Sequence, residues 1–205
     1  MISAEEALAR LREGNLRFTS DAERQTAASP ARRRELANWQ EPFAIILGCS
    51  DSRVPAEIVF DQGLGDLFVI RVAGNIVASS QVDSVEFAAA RFGTRLVVVL
   101  GHSQCGAVTA TIEELQQPPN HQSRNLRSIV GRVRPAVESL LMTELKHDPV
   151  ALLHHAVRAN IRASADHLRH GSEVLERLIA SEGLLVVGAE YSLETGTVTF
   201  FDGLP

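Results

Sequence analysis

Two apolar runs of the same build constrain this chain more than any other feature. Ala44-Ile45-Ile46-Leu47 ends at Gly48 and delivers Cys49, and Leu96-Val97-Val98-Val99-Leu100 ends at Gly101 and delivers His102. Short continuous apolar runs stopped by glycine read as strands buried on both faces. Strands of that kind belong to mostly parallel sheets covered by helices. Each run leads into a polar stretch, Cys49-Ser50-Asp51-Ser52-Arg53 after the first and His102-Ser103-Gln104-Cys105 after the second. Both stretches therefore fall at the carboxyl ends of strands, where open α/β sheets place their sites.

Taken in order, the chain begins with a helix predicted over 3–18. Ser3 is its N-cap with Glu6 three residues on, and Ala7, Leu8, Leu11 and Leu16 form an apolar stripe. A second helix is expected over 30–39, capped by Ser29 with Pro30 at its first position, and a polar stretch from Thr19 to Ala28 separates the two. Residues 1–40 thus form an N-terminal helical arm before the α/β core of 41–205, within a single domain. A partner subunit and an edge of the chain's own sheet are both open as its resting place.

After the first strand, Pro55 to Phe60 reads as a short helical turn, and Leu67 to Arg71 as a second strand. A helix over 80–92 precedes the third strand at Leu96, and another runs from Gly106 to Leu115. Pro118-Pro119 breaks that helix in a polar loop. Helices are expected over 125–145, 149–169 and 172–182, then a fourth strand over Leu184–Gly188. A turn at Glu194-Thr195-Gly196 and an antiparallel edge strand over Val198–Phe201 close the chain. If the second and third strands flank the first, the crevice between strands one and three is a topological switch point with Cys49 and His102 at its mouth.

Composition narrows the class. Among 205 residues, 45% are hydrophobic and 22% charged, which is ordinary for a globular domain. A net charge of −5 leaves no basic footprint for nucleic acid, and Arg32-Arg33-Arg34 reads as a solvated helix face. No apolar run reaches the ~18 residues needed to cross a bilayer, and the first residues lack a secretory leader's pattern, so a cytoplasmic protein without membrane contact is expected. Two cysteines build no disulfide framework.

Cys49, His102 and Cys105 are a soft donor set suited to Zn²⁺ rather than Mg²⁺ or Ca²⁺. With no third cysteine, the fourth position falls to another histidine, a carboxylate or water, and the last two suit a catalytic site. Asp51 is a candidate fourth ligand in a closed state. Arg53, two residues on, offers the same carboxylate a bidentate fork, so an open state has room for a water that Asp51 can deprotonate or orient. A plain Asp51–Arg53 ion pair at a helix start is the alternative. The other histidines, His121, His147, His154, His155, His167 and His170, read as exposed or hydrogen-bonded, although His167 and His170 could share a helix face.

Cys49-x-Asp51-x-Arg53 followed by His102-x-x-Cys105-Gly106 resembles the β-class carbonic anhydrases. The likeness extends to Gly14-Asn15-Leu16-Arg17-Phe18, Arg71-Val72-Ala73-Gly74-Asn75, Asn160 and Gly188-Ala189-Glu190-Tyr191. It implies zinc on Cys49, His102 and Cys105, a catalytic dyad of Asp51 and Arg53, and reversible hydration of CO₂ to bicarbonate by a zinc-bound hydroxide. It also implies strand order 2-1-3-4 with a fifth edge strand, and a homodimer, often paired into a homotetramer, whose N-terminal helices embrace the partner. Val54 and Ile76 are candidates for an apolar CO₂ slot. Members that bind bicarbonate at a non-catalytic pocket resemble one another in a Trp where this chain has Ile46, so such control is not expected here, although Arg71 and Tyr191 are in place. Hydrolysis of carbonyl sulfide or carbon disulfide on the same scaffold, and a non-catalytic zinc-stabilised protein, are the competing readings.

Overall fold

The computed structural model describes residues 1–20, 29–117 and 127–205. Residues 21–28 of the polar stretch, the Pro118-Pro119 break and His121 lie outside the described residues. Five strands, β1 (Ala44–Gly48), β2 (Leu67–Arg71), β3 (Leu96–His102), β4 (Leu185–Tyr191) and β5 (Val198–Asp202), form one sheet in the order β2-β1-β3-β4-β5. β1 pairs in parallel with both β2 and β3, β3 pairs in parallel with β4, and only β5 runs antiparallel. The chain thus steps from β1 to one side and then to the other, which makes the β1/β3 crevice the expected switch point.

Side chains alternate across each strand with period two. Ile45, Leu47, Val97, Val99 and Val186 enter one apolar cluster, while Ala44, Ile46, Leu96, Val98 and Val187 enter another on the opposite face. The first face is covered by helices α4 (Ser79–Arg91), α5 (Gly106–Gln116), α6 (Arg127–Val137), α7 (Pro149–His170) and α8 (Glu173–Ser181), which supply Val85, Val108, Val133, Ile161 and Leu175 among others. Their boundaries follow local signals. Asp148 Oδ1 accepts from the Val150 and Ala151 amides ahead of α7, which carries Pro149 in its first turn, and Ser172 Oγ accepts from Leu175 N at α8.

The second face is covered by α1 (Ala4–Thr19) and the short α3 (Ala56–Val59), with Ala4, Ala7, Leu8 and Leu11 packed in the same cluster as Ile46, Leu96 and Val98. This corrects the expectation that α1 has no place in the chain's own core or rests on a sheet edge: it packs on a face of its own sheet. A mostly parallel sheet needs both faces covered, and full burial of a side chain such as Leu11 is worth about 1.5–3 kcal/mol. Gly14 permits the close approach, since a Cβ there would stand 1.8 Å from the Phe60 carbonyl oxygen. Asn15 then clips α1 down: Nδ2 donates to Val59 O at 3.0 Å and Gly196 O at 2.9 Å, and Oδ1 accepts from Val198 N at 2.8 Å. Arg17 adds an ion pair to buried Asp61 at 2.6 Å. By contrast α2 (Pro30–Glu35), capped by Ser29 as expected, buries none of its residues.

Two further boundaries differ from expectation. The helix expected over 125–145 ends at Val137, and 3₁₀ turns follow at Leu140–Met142 and Glu144–His147. Pro135 removes the amide that would bond Gly131, and extended Thr143 caps the second turn through its hydroxyl. Strand β3 runs on to His102 and β4 to Tyr191, because their ladder continues through Leu100↔Ala189, Gly101↔Glu190 and His102↔Tyr191. That extension sets His102 on a strand rather than in a loop.

Candidate metal centre

Cys49 follows β1 directly, His102 ends β3, and Cys105 precedes the first residue of α5. Neighbouring parallel strands with in-line register carry the first two to the same sheet end. Gln104, in the left-handed region at φ 56, turns the chain so that Cys105 joins them. Their ligand atoms lie within 4.8 Å of one another, and all three residues are buried. They are the one His/Cys/Asp/Glu group among the described residues that could hold a metal ion. His147, His154, His155, His167 and His170 join no such group, in line with their reading as helical surface histidines.

The donor set fits a soft cation. His102 Nδ1 lies 2.8 Å from Ser103 O, which assigns the ring proton to Nδ1. Nε2 is left buried with no hydrogen-bond partner. A buried imidazole nitrogen with a free lone pair beside two sulfurs is what Zn²⁺ requires. Cys49 Sγ accepts from Gly74 N at 3.3 Å, and Cys105 sits at the N-terminus of α5, whose dipole favours a thiolate. The two thiols shift in opposite senses, because a hydrogen bond from Cys105 stabilises the Cys49 thiolate and lowers its pKa while raising that of Cys105. Two sulfurs sharing one proton are poised to give it up to a cation. For His102, burial pulls the imidazole down, but the Cys49 sulfur, the Ser103 carbonyl and the Asp51 carboxylate together outweigh it and leave the ring raised.

Asp51 and Arg53 occupy the outer side of the site. Arg53 Nε donates to Asp51 Oδ1 at 2.9 Å and Nη2 to Oδ2 at 2.7 Å, a bidentate fork. The Arg53 amide adds a third bond to Oδ1 at 3.0 Å. This fork holds the Asp51 carboxyl well below the usual carboxylate range. Asp51 Oδ2 also stands 3.8 Å from His102 Nε2, so the carboxylate lies next to the donor set while the arginine grips it.

Several supporting residues carried no role at the metal site in the sequence reading. Arg71, at the end of β2, donates from Nε to Cys49 O at 3.0 Å and from Nη2 to Asp51 O at 2.6 Å, which pins the loop after β1. Ser103 Oγ donates to Glu194 at 2.9 Å and accepts from Leu193 N, fixing the carbonyl that sets the His102 tautomer. Gly74 lies just beyond β2, so the strand-end rule that found the ligands could have found it too. Ile46 is fully buried among the residues facing α1. Val54 and Ile76, the slot candidates, are both buried but belong to different apolar clusters.

With this geometry in place, comparison with known proteins is decisive. A family model described as carbonic anhydrase matches residues 44–198. Carbonic anhydrase 2 of Mycobacterium tuberculosis is 36% identical over 195 residues, covering 94% of this chain and 90% of that protein. This chain belongs to the carbonic anhydrase family. Members of this enzyme family are lyases, carbonate dehydratases, and the Pseudomonas aeruginosa carbonic anhydrase is 34% identical over 93% of this chain and 86% of its own length. Among solved structures, a tetrameric β-carbonic anhydrase of Sordaria macrospora superposes with a TM-score of 0.74 at 25% identity, over 84% of this chain and 87% of that one. The Coccomyxa β-carbonic anhydrase in complex with acetazolamide gives 0.69 at 25% identity, over 82% and 75%. The five-stranded order and the Cys49, His102, Cys105 cluster accord with membership of the β class.

Proposed function

We propose that this carbonic anhydrase catalyses the reversible hydration of CO₂ to bicarbonate, with zinc held by Cys49, His102 and Cys105 and with Asp51 and Arg53 as its catalytic dyad. The observation that carries the reading is the position of Asp51, 3.8 Å from His102 Nε2 yet engaged on both oxygens by Arg53. A purely structural zinc site has no use for a carboxylate held beside its donors by a competing arginine. Zinc, when bound, supplies a Lewis acid that lowers the pKa of a coordinated water towards neutrality, less strongly with two thiolates than with histidines alone.

The chain's own residues do the rest. Asp51, kept ionised by the fork, accepts a proton at a carboxylate oxygen or orients the nucleophile, and Arg53 keeps it from filling the position that water needs. Arg71 fixes the Cys49 and Asp51 carbonyls and so the reach of the dyad. Val54 and Ile76 remain the proposed apolar wall for CO₂. Ile46 offers no indole to a second bicarbonate, and Arg71 is committed to main-chain carbonyls, so control by bicarbonate is not part of this reading.

A homodimer, extending to a homotetramer, is the proposed assembly, supported by the Sordaria macrospora relative described as tetrameric. Among the described residues no helix is long and apolar enough to cross a membrane. The unpaired buried cysteines suit a reducing compartment, and the cytoplasm is the proposed location. Stopped-flow CO₂ hydration near pH 8.5, on protein whose zinc is counted in the same sample, tests the reaction. Rapid turnover that climbs with pH supports it. No turnover with zinc fully loaded sinks it and directs the next assay to carbonyl sulfide.

A further inference from the structure

The turn Ala73–Asn75 lies just beyond β2, and Gly74 within it sits at φ 71 and ψ 21. That left-handed conformation aims the Gly74 amide at Cys49 Sγ, 3.3 Å away. A side chain is disfavoured there on a second count, since a Cβ would crowd Ala107 Cβ at 3.0 Å. The turn lies beyond the β2 ladder against the ends of β1 and β3, and it is also held from the helical side of the core. Asn160, in the middle of α7 and 1% exposed, donates from Nδ2 to Gly74 O at 2.7 Å, across 86 residues of sequence.

A carboxamide in a helix interior is neutral at best for the helix, and burying one without a partner costs free energy. Its Nδ2 bonds the residue whose amide meets the sulfur. The N–H and C=O of Gly74 lie in the two peptide planes on either side of its φ and ψ, so a carbonyl held from α7 restrains the amide for as long as the residue keeps its left-handed conformation. We infer that Asn160 is a positioning residue for the metal centre, holding the Gly74 amide on the Cys49 sulfur and thereby setting how firmly that sulfur binds zinc.

Hydrogen bonds to a ligating sulfur spread its charge and stabilise it as a thiolate, and such outer partners typically change metal affinity by about 10–100-fold when lost. The inference rests on Cys49 being a zinc ligand, as proposed above. It is separable from that reading because it concerns the rate of metal loss rather than the identity of the ligands.

The test uses full-length zinc-loaded protein. Zinc release to an excess of chelator is followed with a chromophoric zinc indicator, and the thiolate-to-metal charge-transfer band is recorded on the Co²⁺-loaded form. Asn160→Ser, too short to reach Gly74 O, is expected to release zinc about 10–100-fold faster and to shift the band. Asn160→Gln keeps the carboxamide but displaces it by one methylene, and is expected to fall between Asn160→Ser and the parent. If Asn160→Ser does not fold, Asn160→Gln carries the test alone. Ser164→Ala, one turn along the same helix, should release at the parental rate. Parental release and an unshifted band in the folded Asn160 variants, even with a lowered melting temperature, overturn the inference by reducing Asn160 to a packing role. A parent that binds no zinc, or a Cys49→Ser variant that retains it fully, overturns the ligand assignment instead.

Discussion

The two segments that meet at the candidate metal centre differ in burial and in how they are anchored. The segment from His102, at the end of β3, to Cys105 buries both of these side chains, at 0% and 1% exposure. It is held by the β4 ladder at Tyr191, by Ser103 N donating to Tyr191 O at 2.9 Å, and by the start of α5. The loop after β1 buries Cys49 and then emerges, so that the Asp51 side chain is 17% exposed and that of Arg53 54%. Its anchors are polar and peripheral: Arg71 on two carbonyls, and Val54 N donating to Asp51 O. One loop is suited to grip an ion. The other, on the function proposed above, meets water where Asp51 would exchange partners for proton transfer.

The contrast breaks hardest at Cys105. Replacing a donor on the buried side with Cys105→Ala should abolish zinc retention, because donors from distant segments make metal binding part of folding free energy. With free zinc a thousandfold above its dissociation constant, the stability supplied by the metal is about 4 kcal/mol, and this chelator-sensitive share should vanish. Zinc counting and thermal melts with and without chelator measure it. A full complement of zinc in that variant would remove Cys105 from the ligand set.

On the exposed side the expected effect is on turnover, not on metal. Asp51→Asn should keep zinc while kcat falls by about 10²–10⁴, the usual worth of a positioned acid or base, and unchanged hydration rates would exclude Asp51 from the mechanism. The same variant tests the electrostatics. Arg53 holds the Asp51 carboxyl below its ordinary 3.8, so the pair stabilises the fold fully above that pH and loses its contribution as acid protonates the carboxylate. Acid unfolding followed by circular dichroism should therefore be less steep at its acid end in Asp51→Asn, and the difference should be small because Arg53 is largely in solvent.

Smallest of all should be Glu194→Gln. The change weakens a charge-assisted bond to Ser103 while the Leu193 amide stays in place. We expect zinc release only about two- to threefold faster, measured with the same chelator assay. An effect as large as that of a ligand substitution would mean that the buried segment depends on its exposed clamp rather than on the β4 ladder.

Much of this was legible in the amino-acid order. The runs ending at Gly48 and Gly101 announced their strands, the two-residue gap from His102 to Cys105 announced a shared ion, and Asp51 with Arg53 announced a fork. Legibility failed where long-range packing decides. The apolar stripe of α1 is visible in Ala7, Leu8 and Leu11, but not which surface it covers, because any exposed apolar sheet face satisfies an amphipathic helix equally well. The ends of β3 and β4 were set too short because Gly101, which reads as a stop, is paired across the ladder with Glu190.

By itself, then, the sequence determined the parallel α/β class, the order of elements and the chemistry of the donors, since these depend on local periodicity and on residue type. Tertiary structure alone decided that α1 closes the second face of its own sheet, that Arg71 ties the loop carrying Cys49 and Asp51, and that Asn160 reaches Gly74 across 86 positions. Those contacts join segments far apart in the chain, and no local pattern of residues encodes which distant carbonyl a buried amide or guanidinium will meet.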